Sequence, residues 1–279
     1  MNKVFSRLAK PYLIWLYLLA CLPAIVMFFL MFIDTEGIDF EGMKLTLANF
    51  SQLKDPATLV AFGTSLFLAA LATFTCIVLG YLVAYKLYRS HFQNKFLILV
   101  ILVLPMWSNL LLRTNALAKI LEPNNLITSL IENLTGKQIQ FPAICGTGLA
   151  IIIGLVVTYV PFMVMPIYNS LEKIDPQVEE AATDLGLTDF KKFWKIIFPM
   201  SSKGIITGSI MVFLPCLSGF AIPKILSKGN IVMIGNVIED FFKNMNYNIG
   251  SVLAVVILAF ILISITIVNK VDKEGETLL

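Results

Sequence analysis

PATLVAFGTSLFLAALATFTCIVLGYLVAY, residues 56–85, is a stretch of 30 residues without a charge. A helix of about 20 such residues already crosses the roughly 30 Å of bilayer hydrocarbon, so this stretch reads as a membrane span. Five more uncharged runs lie at 11–33, 96–112, 138–171, 204–223 and 244–269. The 279 residues are 58% apolar and only 14% charged, and the mean hydropathy is +0.84. So few charges cannot cover a soluble surface. The expected fold is all-α: a polytopic membrane protein with six transmembrane helices at about 12–33, 59–85, 96–112, 143–169, 205–223 and 249–269. They form a single transmembrane domain over 1–279, with a cytoplasmic segment at 170–204. This composition excludes a nucleic-acid binder, a secreted disulfide scaffold and an ordinary cytosolic enzyme.

Cys21, Cys76, Cys145 and Cys216 all lie inside apolar runs without CxxC spacing and read as small buried hydrophobes. A single histidine, His91, cannot make a multi-histidine metal site, and no metal is expected. Lys3, Arg7 and Lys10 ahead of an apolar run resemble a signal peptide, with Leu18-Leu19-Ala20-Cys21 as a faint cleavage box, but the run continues to Ile33 and is too long for a signal core. A retained first span is expected. Placing the loops alternately, with the N-terminus inside, puts 13 of the 21 basic residues in the cytoplasm. The outer side then carries the acidic stretch Asp34, Glu36, Asp39 and Glu41, as the positive-inside rule requires. Both termini are expected to be cytoplasmic. In the outer loop, Asn49-Phe50 followed by Asp55-Pro56 fits either a short interfacial helix or a plain connector.

None of the six runs contains Asp, Glu, Lys or Arg. Proton pumps and many ion-coupled carriers place such residues at membrane depth, so their absence lowers that class. No G-x-x-x-x-G-K-[ST] loop occurs; Gly136-Lys137 lacks the rest of the pattern. Any ATP must be bound by another chain. Pro105 and the cluster of Trp107, Ser108, Asn109, Thr114 and Asn115 around Arg113 mark the third run, and Tyr159, Pro161, Phe162, Pro166 and Tyr168 mark the fourth. Such residues serve either helix packing or a pathway.

The segment before the fifth run is the most informative. Asp175-Pro176 reads as an N-cap followed by proline at the first helical position, with Glu179 and Glu180 in the opening turns. Val178, Ala181, Ala182 and Leu185 recur at i, i+3, i+4 and i+7, and Gly186 stands where a left-handed C-cap is needed. Thr188 caps a second helix whose apolar face is Phe190, Phe193, Trp194 and Ile197, leaving Lys191, Lys192 and Lys195 in water or at head groups until Pro199 ends it. Two short helices about a glycine bend fit either an interfacial hairpin or a knob for a partner chain.

Glu180-Ala181-Ala182, three residues, Gly186, nine residues, Ile196, then Phe198-Pro199 resembles the EAA motif (E-A-A-x3-G-x9-I-x-L-P) of bacterial ABC importer permeases, with Phe198 for the usual leucine. Leu104-Pro105-Met106-Trp107-Ser108-Asn109 with Arg113, Val160-Pro161-Phe162, Asp184-Leu185-Gly186 and Ile234-Gly235-Asn236 are similar to the spermidine/putrescine branch of that family. The resemblance implies the type I importer permease architecture in a bacterial inner membrane. It implies as partners a second permease subunit, two ATPase subunits and an external substrate-binding protein. ATP and Mg would reside on the ATPase, no cofactor on this chain, and the chain itself would not be an enzyme. The ATPase-coupling residues would be Glu180, Ala181, Ala182, Asp184, Leu185, Gly186, Ile196 and Pro199. Trp107, Asn109, Tyr159, Phe162 and Phe220 are candidates for weak cation-π guidance along the pathway, and Arg113 is expected to face a carboxylate or the binding protein. Alternatives are the same machine carrying another small solute, an ATP-independent carrier, and a membrane enzyme; no catalytic constellation supports the last.

Overall fold

The computed structural model describes residues 3–34, 44–135 and 142–271. Glu36, Asp39, Glu41, the Gly136-Lys137 pair and Lys273 lie outside them. The helices are α1 Lys3–Leu30, α2 Pro56–Arg89, α3 Lys95–Val103, α4 Leu110–Ile120, α5 Leu126–Thr135, α6 Gly148–Glu172, α7 Pro176–Asp184, α8 Asp189–Lys192, α9 Phe198–Met200, α10 Ser202–Ser218, α11 Ala221–Leu226, α12 Ile234–Lys243 and α13 Tyr247–Val271. The chain divides into two compact units, Met1–Ala61 with Val237–Ile263, and Phe62–Asn236 with Ser264–Leu279.

In the first unit α1 is followed by a two-residue antiparallel ladder, β1 Ile33–Asp34 with β2 Lys44–Leu45. The Asn49 amide donates to the carbonyls of Met31 at 3.1 Å and Ile33 at 2.9 Å, satisfying acceptors just beyond the end of α1. Asn49 belongs to a 3-10 helix, Ala48–Lys54, at the place where a short interfacial helix or a connector was expected. Asp55 then starts α2 by accepting from the Thr58 N–H at 3.1 Å.

The second unit is built around α6, with glycines where helices cross. A Cβ on Gly204 of α10 would lie 2.5 Å from the Pro166 carbonyl oxygen, and one on Gly208 would lie 2.7 Å from the Met163 sulfur. On the α2 side, a Cβ on Gly80 would lie 2.7 Å from Met163 Cγ. Small residues let these backbones approach closely, which is how apolar helices hold together in lipid. Elsewhere on α2 large apolar side chains turn outward, among them Phe67 and Leu82, as a lipid-facing surface requires.

Among the described residues, Pro56–Arg89, Gly148–Glu172 and Tyr247–Thr266 are helices long and apolar enough to cross a membrane. Two bent pairs raise the number to as many as five, and the apolar part of α1, Trp15–Leu30, is shorter. The run at 96–112 is not one helix. Lys95–Trp107 and Leu110–Ile120 meet at 93°, because Pro105 sits in a 3-10 turn, Leu104–Trp107, and Ser108 leaves it extended. The run at 204–223 also breaks: α10 ends at Ser218, Gly219 is extended, and α11 begins at Ala221. Gly235 packs against this break, where a Cβ would lie 2.5 Å from the Ser218 carbonyl oxygen.

Candidate functional site

Asp175 caps α7 as its sequence predicts, its carboxylate accepting from the Gln177 N–H at 2.9 Å with Pro176 in the first turn. At the other end Gly186 has φ +77°. The Gly186 N–H donates to Thr183 O at 2.9 Å and the Leu187 N–H to Ala182 O at 3.1 Å, a Schellman cap that only a left-handed residue completes. Ala182 is buried against the chain, Val178 is half-buried, and Glu180, Ala181, Asp184 and Leu185 are exposed, Leu185 at 82%. The anticipated apolar stripe is therefore divided: its inner half seats the helix and its outer half is left free. Asp175, Gln177, Val178, Ala181, Ala182, Leu185 and Ile196 line one surface groove of about 400 Å³, which brings Ile196 beside the helix that bears the alanines.

Beyond the bend, a π-helical turn, Phe193–Ile197, separates α8 from α9, with the Phe198 N–H donating to the Phe193 carbonyl. Pro199 follows, and Asp189–Met200 is bent by 58° from Ser202–Ser218. The wider turn rotates side chains out of 3.6-residue register. Ile197 is buried, while Phe193 packs on Tyr85 and Tyr81 at 5.0 and 5.7 Å between ring centroids. Phe190 and Trp194, expected on the same face, are exposed instead. Lys192 also departs from expectation. Rather than standing in water it is buried, with its ammonium 2.9 Å from the Thr183 hydroxyl and 3.4 Å from Asp189 Oδ1.

The residues that hold α7 in place were not anticipated. Arg89 Nη1 at the end of α2 lies 3.1 Å from Glu179 Oε2, and the Tyr88 hydroxyl donates to Glu179 Oε1 at 2.7 Å. Of the two adjacent glutamates, Glu179 is spent on its own chain and Glu180 is exposed. Partners some 90 positions apart leave no spacing pattern in the sequence.

Two adjoining cavities lie along the third and fourth apolar runs, the second reaching the start of the fifth. One of about 750 Å³ is walled by Phe92, Lys95, Trp107, Tyr168 and Glu172 among others. Another of about 670 Å³ is walled by Pro161, Phe162, Pro166, Lys173, Lys203 and Met211 among others, and Val103, Met165 and Asn169 border both. Trp107, 90% exposed, thus lines the first and Phe162 the second. Asn109, Tyr159 and Phe220 line neither. Asn109 caps α4 by accepting from Leu111 and Leu112 N–H at 2.8 and 3.3 Å. Tyr159 stacks obliquely on Phe162 at 6.3 Å, and the Phe220 carbonyl accepts from the Asn236 amide at 2.8 Å. Among the described residues Arg113 faces no carboxylate, the first of its two expected partners; its Nη1 donates to the Pro105 carbonyl at 2.8 Å, bracing the break in its own run.

Residues 76–273 match the family described as "Binding-protein-dependent transport system inner membrane component". The spermidine/putrescine transport system permease protein PotB of Escherichia coli K12 is 35% identical over 235 residues, covering 83% of this chain and 84% of that protein. PotB of Haemophilus influenzae is 28% identical over 274 residues, 98% of this chain and 96% of that one. In fold the chain is similar to a bacterial ABC transporter involved in the import of the acidic polysaccharide alginate, with a TM-score of 0.76 at 15% identity over 98% of this chain and 96% of that one. A multi-pass helical membrane protein that carries an EAA segment as a capped, outward-facing helix, and that matches this family over most of its length, belongs to the inner membrane components of binding-protein-dependent transport systems, the permease subunits of ABC importers.

Proposed function

We propose that this permease imports polyamines, spermidine and putrescine, working with a second permease subunit, two ATPase subunits and an external substrate-binding protein. The 35% identity to the Escherichia coli polyamine permease over 83% of the chain carries the choice of substrate. The charge pattern supports an inner-membrane orientation with α7 and both termini in the cytoplasm. ATP and Mg are held by the ATPase subunits and this chain binds no cofactor. Closure of the ATPase pair bears on the exposed face of α7, where Glu180 offers a polar contact and Ala181 with Leu185 an apolar one, and the spans exchange inward-open for outward-open states. Recognition of the polycation is delegated to the binding protein. The described cavity walls bear one carboxylate, Glu172, against the cations of Lys95, Lys173 and Lys203, so a polyamine is not held tightly on its way through.

The test is uptake of labelled spermidine into proteoliposomes that hold the complete importer with ATP inside. ATP-dependent uptake, competed by excess putrescine and not by amino acids, sulfate or metal chelates, is expected. Uptake competed by one of those solutes and not by putrescine refutes the substrate. Uptake indifferent to omission of the ATPase refutes the importer.

A further inference from the structure

Taking α7 as the coupling helix, we infer that Arg89, Tyr88 and Glu179 are positioning residues for transport: they form the joint through which displacement of α7 passes to α2. Both oxygens of one carboxylate are engaged by the last turn of α2, Oε2 by Arg89 at 3.1 Å and Oε1 by the Tyr88 hydroxyl at 2.7 Å. The Glu179 side chain is only 13% exposed. A carboxylate so covered cannot leave two donors without stranding an ion, which makes the contact stiff.

The surrounding groups extend the joint. Arg89 Nε donates to the Tyr85 hydroxyl at 3.2 Å, and its Nη2 lies 3.9 Å from Asp189 Oδ1. The same Asp189 oxygen takes Lys192 at 3.4 Å, and Lys192 reaches back to Thr183 on α7 at 2.9 Å. The Lys95 ammonium donates to the Tyr88 carbonyl at 2.7 Å, tying in the start of α3. The end of α2, two turns of α7 and the first and last residues of α8 thus share one polar network, while Glu180, Ala181 and Leu185 are exposed. α7 has one face for a partner and one face for α2.

Two continuous helices lead from α7 into the membrane: α6, joined to it through residues 173–175, carries Pro161 and Pro166 along its length, whereas α2 is longer and has no proline inside it. It runs 34 residues from Pro56 to Arg89, about 50 Å at 1.5 Å per residue. The route through Asp189–Met200 bends by 58° before α10, and the one through α3 turns by 93° at Ser108. A push delivered at Arg89 meets no hinge in its own helix.

The experiment uses the complete importer in proteoliposomes and reads labelled spermidine taken up per ATP hydrolysed. It compares wild type with Arg89→Glu, Glu179→Arg, the double swap and Tyr88→Phe. Either reversal is expected to lower that ratio about tenfold, the double swap to restore it to within about threefold, and Tyr88→Phe to lower it about twofold. Tyr88→Phe deletes a single hydroxyl, so it answers even where a reversal does not assemble. A wild-type ratio in Tyr88→Phe overturns the joint, as does a double swap no better than the reversals. Failure of the importer reading is a different result: wild type itself then shows no ATP-dependent uptake.

Discussion

Gly186 separates two ways of losing transport. At φ +77° it is left-handed, and a Cβ built on it meets nothing within 4 Å. Within this chain a side chain there therefore costs backbone strain and no clash, about 1–2 kcal/mol for alanine and less for asparagine, which enters that region more readily. The strain acts on the cap formed by Gly186 N–H to Thr183 O and Leu187 N–H to Ala182 O. One to two kcal/mol shifts the balance between closed and opened cap by a factor of about 5–30. Only the closed cap sets Leu185 and Ala181 as described, so the affinity of the ATPase subunits for Gly186→Ala is expected to fall by up to that factor, and for Gly186→Asn by less. Gly186→Asp adds a charge beside the docking face to the strain and is expected to abolish transport. The assay titrates the ATPase subunit onto the permease pair in nanodiscs, with labelled spermidine uptake measured in parallel. Asparagine weakening docking more than alanine would show that bulk at the interface governs the loss and would refute the strain reasoning. Near-normal uptake by Gly186→Asp would refute the role of the bend altogether.

Other substitutions follow from the same geometry. Asp175→Ala removes the N-cap of α7 and should cost about 1 kcal/mol, read as an ATPase affinity weaker by up to about fivefold, whereas Asp175→Asn should stay near wild type; equal losses would discount the cap. Gly204→Ala drives a Cβ to 2.5 Å from the Pro166 carbonyl oxygen and 2.9 Å from Ile167 Cα, backbone atoms that cannot step aside. About 1–3 kcal/mol of overpacking should lower the melting temperature of the detergent-solubilised protein by several degrees. Gly63→Ala, inside α2 with nothing within 4 Å of the added atom, should leave it unchanged or raise it slightly, and equal losses at the two glycines would contradict the packing described. Arg113→Ala releases the Pro105 carbonyl and should destabilise by about 1 kcal/mol, with Arg113→Lys recovering only part; an unchanged melting temperature would mean the brace across the break contributes nothing.

What the sequence showed were features written in adjacent residues. Uncharged runs announce α2, α6 and α13, since a helix in hydrocarbon satisfies its own backbone and needs only length and apolarity. The caps of α7 are equally local: Asp175, Pro176 and Gly186 each act within a few residues of where they stand. Three things escaped. The contact of Arg89 with Glu179 joins segments 90 positions apart. The π-helical turn at Phe193–Ile197 shifts the register that the Phe190, Phe193, Trp194, Ile197 periodicity assumed, and so exposes two aromatics and accompanies a buried Lys192. At Ser108 a proline three residues earlier gave a hint of disturbance, but not the 93° turn that follows. The pathway candidates fared unevenly for a similar reason: residue type alone does not tell an aromatic that lines a cavity, such as Trp107, from one that stacks beside it, such as Tyr159.

The prolines inside the spans leave something besides kinks. Pro166 has no N–H to offer the Phe162 carbonyl four residues back, and Pro215 has none for Met211. Phe162 and Met211 both border the second cavity. Each of these helices thus has a carbonyl without its ladder donor on a residue that borders a wall with Lys173 and Lys203 and no carboxylate; such a gap is tolerable beside a cavity rather than in lipid. A carbonyl oxygen brings a partial charge and no ionisation state, so what it offers a hydrogen-bond donor does not change with pH. Such a wall also binds weakly enough to let its guest go, and in a conduit release counts for as much as capture.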